Sequence, residues 1–260
     1  MLNHSPKVLA LDFDGVVCDG LKEYFQTAWK AYCQIWQLSD LQPNETLAPK
    51  FYRLRPVVET GWEMPILIRA LGLEIKEDLI LQDWTTIAAQ ITSEDNLKSS
   101  QVSTIVDTIR DEWIARDLDS WLDEHQFYPG VIDKLHKILN SSTNFVIIST
   151  KEGRFIKQLL QKQGIELADS QVYGKESKRP KYQILQELKQ THGETAEIWF
   201  VEDRFKTLQA VKNQASLETV GLFLADWGYN TEAERQAAQN DDRIHLISLK
   251  QFDQDFSTWL

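Results

Sequence analysis

Asp12 and Asp14 stand two residues apart at the end of an apolar run, KVLALDF (7–13), with Gly15 directly after them. Two other apolar runs end in polar residues. NFVII (144–148) leads into Ser149-Thr150-Lys151, and EIWFV (197–201) leads into Glu202-Asp203-Arg204. Carboxylates gathered in one place can serve as nucleophiles or as proton donors and acceptors. Alone, Asp-x-Asp-Gly is equally the way a strand ends in an Asx-type turn. The chemical reading requires a scaffold that brings the three tips together.

The elements around these tips supply one. Each apolar run suits a buried parallel strand. Gly15 and Gly20 break the first run, and residues 21–38 carry a helical stripe of Leu21, Tyr24, Phe25, Ala28, Ala31, Tyr32 and Ile35. Residues 39–60 are irregular, with Pro43, Pro49 and Pro56. Helical signals then dominate to about 125, as in MPILIRALG and in the segment from Leu97 to Leu118. No strand is expected between 21 and 125.

After Tyr128-Pro129-Gly130 the pattern alternates. Strands at 144–148, 197–201 and 219–224, with shorter ones at QVYG and IHLI, are separated by helices. The first strand therefore finds its partners only after about residue 127. This predicts a discontinuous α/β core, 1–19 plus 128–260, interrupted by an all-helical insertion, 20–127. The core reads as a doubly wound parallel sheet. Such sheets bind ligands beyond the carboxyl ends of their strands, so the three tips share one crevice.

Composition excludes other classes. The 260 residues are 42% hydrophobic and 26% charged, ordinary for a globular protein. The formal net charge of −11 repels nucleic acid and anionic membranes, so neither is an expected partner. No apolar run reaches the roughly 18 residues of a membrane span. The opening residues lack the marks of a signal peptide, and a cytoplasmic location is the default expectation. Cys18 and Cys33 suggest neither a disulfide framework nor a metal cluster, and each reads as a small buried hydrophobe. Six of the nine tryptophans fall between residues 29 and 121, which points to a separate core for that stretch.

The ordered set of segments resembles the haloacid dehalogenase (HAD) superfamily. LDFDGVVCDG is similar to its first motif, and IISTKEGRF, KRPKYQIL and FVEDRFKTL to its second, third and fourth. The helical insertion resembles the family's C1-type helical cap. The resemblance implies a phosphohydrolase in which Asp12 is the nucleophile and forms an aspartyl-phosphate, while Asp14 is the general acid and base. It implies Mg²⁺ held by Asp12, the Asp14 carbonyl and Asp203, and a phosphoryl oxygen held by Ser149. Capping the helix that follows is the alternative role for Ser149. A lysine is also implied, and both Lys178 and Lys181 fit the third motif. The fourth motif departs from the commonest pattern. Glu202 stands where a glycine is usual, and Thr207 where a second acid is usual. Glu202 is then either a further metal contact or the residue that orients Lys181.

An acid at Asp14 disfavours dehalogenation, since a halide needs no proton to leave. It favours a phosphatase acting on a small phosphorylated metabolite. Ser-Thr-Lys in the second motif and Gly228-Tyr229 after a late strand resemble the phosphoglycolate phosphatase group in particular. Gly15 and Thr150, beside the motif residues, and Arg53 and Arg55 of the insertion are candidate substrate contacts. The alternatives are phosphoryl transfer of the β-phosphoglucomutase type and a catalytically weak binding or regulatory protein of the same fold.

Overall fold

The computed structural model describes residues 5–39 and 42–259. The opening MLNH, the start of the segment expected to carry no signal peptide, lies outside them. The chain divides into two compact units, Met1–Asp19 with Gln126–Leu260, and Gly20–His125.

Strand β1, Val8–Leu11, is buried along its whole length. It is followed by a two-residue strand, β2, Cys18–Asp19. The second unit then contributes helices α1 (Leu21–Ile35), α2 (Ala48–Leu54), α3 (Glu63–Gly72), α4 (Glu77–Glu94), α5 (Ser99–Arg116) and α6 (Leu118–Asp123). Here α1 packs on α3 and α5. The unit has its own core, in which the tilted rings of Phe25 and Phe51 meet with centroids 5.5 Å apart and Trp29, Trp84, Trp113 and Trp121 are buried. Glu23 is almost fully buried and pairs with Arg110 at 2.8 Å, while Thr27 donates its hydroxyl to the same carboxylate.

The first unit resumes with β3, Gln126–Phe127, which pairs antiparallel with β2. It therefore re-enters at Gln126, two residues earlier than Tyr128-Pro129-Gly130 suggested, because a two-residue strand leaves no periodicity to read. Then follow α7 (Val131–Leu139), β4 (Asn144–Ile148), α8 (Gly153–Gln161), β5 (Val172–Tyr173), α9 (Lys181–His192), β6 (Ile198–Glu202), α10 (Phe205–Lys212), β7 (Gly221–Ala225), α11 (Glu232–Gln239), β8 (Ile244–Ile247) and α12 (Leu249–Asp253). The six-stranded sheet has the order β5-β4-β1-β6-β7-β8, and every pairing in it is parallel.

Alternation along the strands sends side chains to both faces, and both are covered. On one face Val8, Ala10, Val146, Ile148, Phe200 and Leu222 pack with Ile184 and Leu188 of α9 and Leu208 of α10. On the other, Trp199 and Phe223 meet Trp259, with centroids at 5.6 and 5.4 Å, and Trp259 stacks on Phe252 of α12. Each such aromatic contributes about 2–3 kcal/mol by leaving water. Burial on both faces explains why these strands read as unbroken apolar runs.

The sheet order reverses at β1, which lies between β4 and β6. The register pairs Leu11 with Ile147 on one side and Val201 on the other. The Asp12 N–H continues the ladder by donating to the Val201 carbonyl at 2.9 Å. Asp12 is therefore level with Glu202 and Ile148, and Asp203 and Ser149 lie one residue further along the same edge. Cys18 and Cys33 are both buried thiols and form no disulfide.

Candidate active site

At the end of β1 the chain reverses through Asp14 and Gly15. The Phe13 carbonyl accepts the N–H groups of Val17 and Cys18, and the Gly15 N–H donates to the Cys18 carbonyl. Gly15 sits at φ +85°, a conformation that carries a steric penalty for residues with a side chain. A Cβ there would also lie 2.1 Å from Asp203 Oδ2. Gly228 makes the matching approach from the loop after β7, where a Cβ would lie 2.3 Å from the Asp203 Cβ and 2.5 Å from the Gly15 carbonyl oxygen. Two glycines thus let the Asp203 carboxylate nest against main chain. The Tyr229 N–H donates to Asp203 Oδ2 at 2.8 Å, and the Asn230 amide donates to the Asp203 carbonyl at 3.0 Å.

Asp12, Glu202 and Asp203 are buried together, each offering a carboxylate oxygen within 4.8 Å of the others. Lys181, the first residue of α9, lies between two of them. Its Nζ is 2.8 Å from Asp12 Oδ2 and 2.7 Å from Glu202 Oε2. Asp12 Oδ1 accepts the Phe13 N–H at 2.7 Å. Glu202 Oε1 accepts the N–H groups of Asp203 and Arg204, both at 3.1 Å. Both Glu202 oxygens are thus occupied in orienting Lys181 and shaping the turn after β6, and lone pairs remain for a further contact.

Burial dominates the electrostatics. It pushes the Asp12 carboxyl up to about 7, against the pull of the Lys181 ammonium. Burial likewise raises Glu202 and Asp203 above the ordinary carboxylate range. Burial works against the Lys181 charge, but Asp12 and Glu202 outweigh it and hold the ammonium above its usual value.

Asp14 pairs with a second lysine, Lys151, whose Nζ is 3.1 Å from Oδ1. Ser149 is buried at the tip of β4. Its hydroxyl accepts the Lys151 N–H at 3.2 Å, and Glu152, not Ser149, occupies the cap of α8. Asp12, Asp14, Ser149, Lys151, Lys181, Glu202 and Asp203 thus lie along the carboxyl edge of β1, β4 and β6. Four carboxylates face two ammonium groups, which leaves an excess of two formal negative charges where water is scarce. An all-oxygen donor set with that charge matches a small hard divalent cation.

Other expected residues lie elsewhere. Lys178 is exposed, in a left-handed turn at φ +49°, and takes no part in the carboxylate cluster. Thr150 is exposed. Arg53 and Arg55 belong to the helical unit. Arg53 is bound to both carboxylate oxygens of Glu77, at 3.1 and 2.8 Å, and Arg55 donates to the Val58 carbonyl and lies over the Tyr24 ring. Sequence reasoning did not assign roles to Lys151, Gly228 or Tyr229. The clue for the glycine and tyrosine was present in Gly228-Tyr229, but its partner Asp203 lies on a different strand.

Comparison with known proteins places these features in a family. A family model described as haloacid dehalogenase-like hydrolase matches residues 6–213. Among curated proteins none matches the chain. Twenty-eight solved chains do. A haloacid dehalogenase-like family hydrolase from Streptococcus pneumoniae shares 17% identity over 94% of each chain, with a TM-score of 0.58. A protein described as a predicted phosphatase from Clostridium acetobutylicum shares 14% over 96% of this chain and 97% of its own, with a TM-score of 0.56. One described as a predicted phosphoglycolate phosphatase from Haemophilus somnus shares 14% over 92% of each, with a TM-score of 0.55. At these identities the structures attest the shared fold, and the family model covers most of the chain: this protein belongs to the haloacid dehalogenase-like hydrolases.

Proposed function

We propose that the protein is a metal-dependent phosphatase that hydrolyses a small phosphorylated metabolite through an aspartyl-phosphate on Asp12. The observation that carries this reading is the buried carboxylate at Asp12, held by Lys181 and set two residues before a second carboxylate at Asp14. Asp12, Glu202, Asp203 and the main-chain carbonyl of Asp14 are the residues that would hold the metal. A bound Mg²⁺ would supply charge neutralisation, letting an anionic nucleophile approach an anionic phosphoryl group.

The chain's own groups account for the remainder. An Asp12 carboxylate oxygen attacks phosphorus, and the bond from phosphorus to the ester oxygen breaks. Asp14 gives its proton to that departing oxygen, which keeps the bonding electron pair. Asp14, now ionised, takes a proton from water. The resulting hydroxide attacks phosphorus, and the bond to the Asp12 oxygen breaks, releasing inorganic phosphate. One carboxyl serves both halves because the proton moves in opposite directions in them. Lys181 and the Ser149 hydroxyl bind phosphoryl oxygens, and Lys181 also keeps Asp12 aimed. The helical unit, Gly20–His125, serves as a cap that sets specificity.

The test is phosphate release from p-nitrophenyl phosphate and a panel of metabolite monophosphates, with Mg²⁺ or with EDTA, beside Asp12→Asn. Turnover that requires Mg²⁺ and is abolished in the variant is expected. Silence across the panel with Mg²⁺ would favour a binding or regulatory protein. Conversion between sugar phosphates without phosphate release would favour the mutase reaction.

A further inference from the structure

The Lys151 side chain is less exposed than that of Lys181, 8% against 12%, and it belongs to the second motif rather than the third. Its main chain is pinned on both sides. The N–H donates to Ser149 Oγ at 3.2 Å, and the carbonyl accepts the Lys175 N–H at 2.9 Å. With Cα fixed beside the tip of β4, the ammonium reaches across to Asp14. Asp14 Oδ1 is itself shut off from solvent and meets Nζ at 3.1 Å as an ion pair rather than a well-directed hydrogen bond.

The two carboxylates of Asp12-x-Asp14 thus have separate cations, Lys181 for the first and Lys151 for the second. The division has a chemical use. A proton carrier works only when its oxygen is held at a fixed place relative to the ester oxygen. An aspartate at the apex of a turn has freedom in χ2, since the two-fold carboxylate torsion is broad. Binding one oxygen removes that freedom and presents the other.

We propose that Lys151 is a positioning residue: it holds Asp14 by Oδ1 so that Oδ2 carries the proton to the leaving oxygen and from the hydrolytic water. This rests on the reading of Asp14 as general acid and base. It assigns Lys151 no contact with the phosphoryl group.

The test compares wild type with Lys151→Met, Lys151→Arg, Asp14→Asn and Asp14→Asn/Lys151→Met, on phenyl phosphate and p-nitrophenyl phosphate with Mg²⁺. The readout is kcat/KM, which reports the first phosphoryl transfer. Phenolate is a poor leaving group that needs a proton, whereas p-nitrophenolate leaves nearly unaided. Lys151→Met is expected to lose about 10–100-fold on phenyl phosphate, part of the roughly 10²–10⁴-fold that general acid catalysis supplies, and roughly tenfold less than that on p-nitrophenyl phosphate. Lys151→Arg, which restores a cation, should recover part of the loss. In the Asp14→Asn background the second substitution should change kcat/KM by no more than about twofold, as non-additivity requires of residues acting through one another. Equal losses on both esters, a rise in KM with kcat unchanged, or a further loss in the Asp14→Asn background would each overturn the proposal. If Asp14→Asn alone spares phenyl phosphate, the acid–base reading of Asp14 is what has failed. Residual p-nitrophenyl phosphate turnover shows that each variant is folded.

Discussion

Lys181 Nζ lies 2.7 Å from Glu202 Oε2, inside the protein, with Glu202 fully buried. The glutamate in place of the usual glycine is therefore a built part of the site. Glu202→Ala would leave the ammonium with Asp12 alone and two main-chain N–H groups without an acceptor. Breaking a buried pair from one side costs about 3–5 kcal/mol, and urea denaturation should show a loss of that size. Glu202→Gln, which keeps the shape and one of the two acceptor oxygens, should lose less.

The two lysines of the third motif should separate cleanly. Lys181→Met is expected to lower kcat/KM by about 10²–10³-fold, the scale of losing one charge-stabilising donor. Lys178→Ala, at an exposed turn, should stay within about twofold of wild type. Steady-state kinetics on any active ester decides the matter.

Burial pushes Asp12 up to about 7, above the ordinary carboxylate value of 3.8. The sign follows from proton binding. The folded metal-free protein holds this proton more tightly than the unfolded chain, so Asp12 reduces stability progressively as pH rises from about 4 to about 7 and fully above that. Asp12→Asn should therefore raise Tm in EDTA at pH 8, by at most about 4 kcal/mol in stability, and the gain should shrink steadily as pH falls toward about 4. A gain independent of pH would contradict the assignment.

Gly228→Ala drives a methyl group into the Asp203 side chain and the Gly15 carbonyl. Both are held by surrounding structure, so the expected cost is about 2–3 kcal/mol, with loss of Mg²⁺-dependent activity. Gly164→Ala is the control. It stands at φ +73° with nothing within 4 Å of the new carbon, so only about 1–2 kcal/mol of backbone strain applies. Thermal unfolding of the two variants, beside activity, separates a clash at the site from strain away from it.

In the helical unit the Glu23–Arg110 pair, with Thr27 completing the carboxylate, is closed off from solvent on the Glu23 side. Arg110→Met should destabilise the protein by about 3–5 kcal/mol, and Glu23→Gln/Arg110→Met by distinctly less, since both charges then leave together. A double-mutant cycle by chemical denaturation measures the coupling.

The fold was legible because its strands are buried on both faces and announce themselves as apolar runs, and the strand tips because polar residues interrupt those runs. Which lysine serves Asp12 was not legible. It depends on Pro180 starting α9 so that Lys181 is its first helical residue, while Lys178 ends the preceding turn in a left-handed conformation. The two lysines stand only three residues apart, and the place of the helix start between them decides which one faces the carboxylates. Lys151 was hidden for a similar reason, since a lysine after Ser-Thr reads as solvated until the register places β4 beside β1. Glu202 stood open between two roles because sequence does not reveal which hydrogen bonds a carboxylate has already made.

The small ribbon formed by β2 and β3 has a further implication. Its register sets Asp19 directly opposite Gln126, so the chain leaves and returns within about 5 Å, the spacing of paired residues on antiparallel strands. Seen from the sheet, everything from Gly20 to His125 is a single loop with fixed ends, and closing such a loop depends only weakly on its length. The ribbon is thus a splice point. A different insert, or a tight turn, could be joined there without altering the register that assembles Asp12, Ser149 and Asp203.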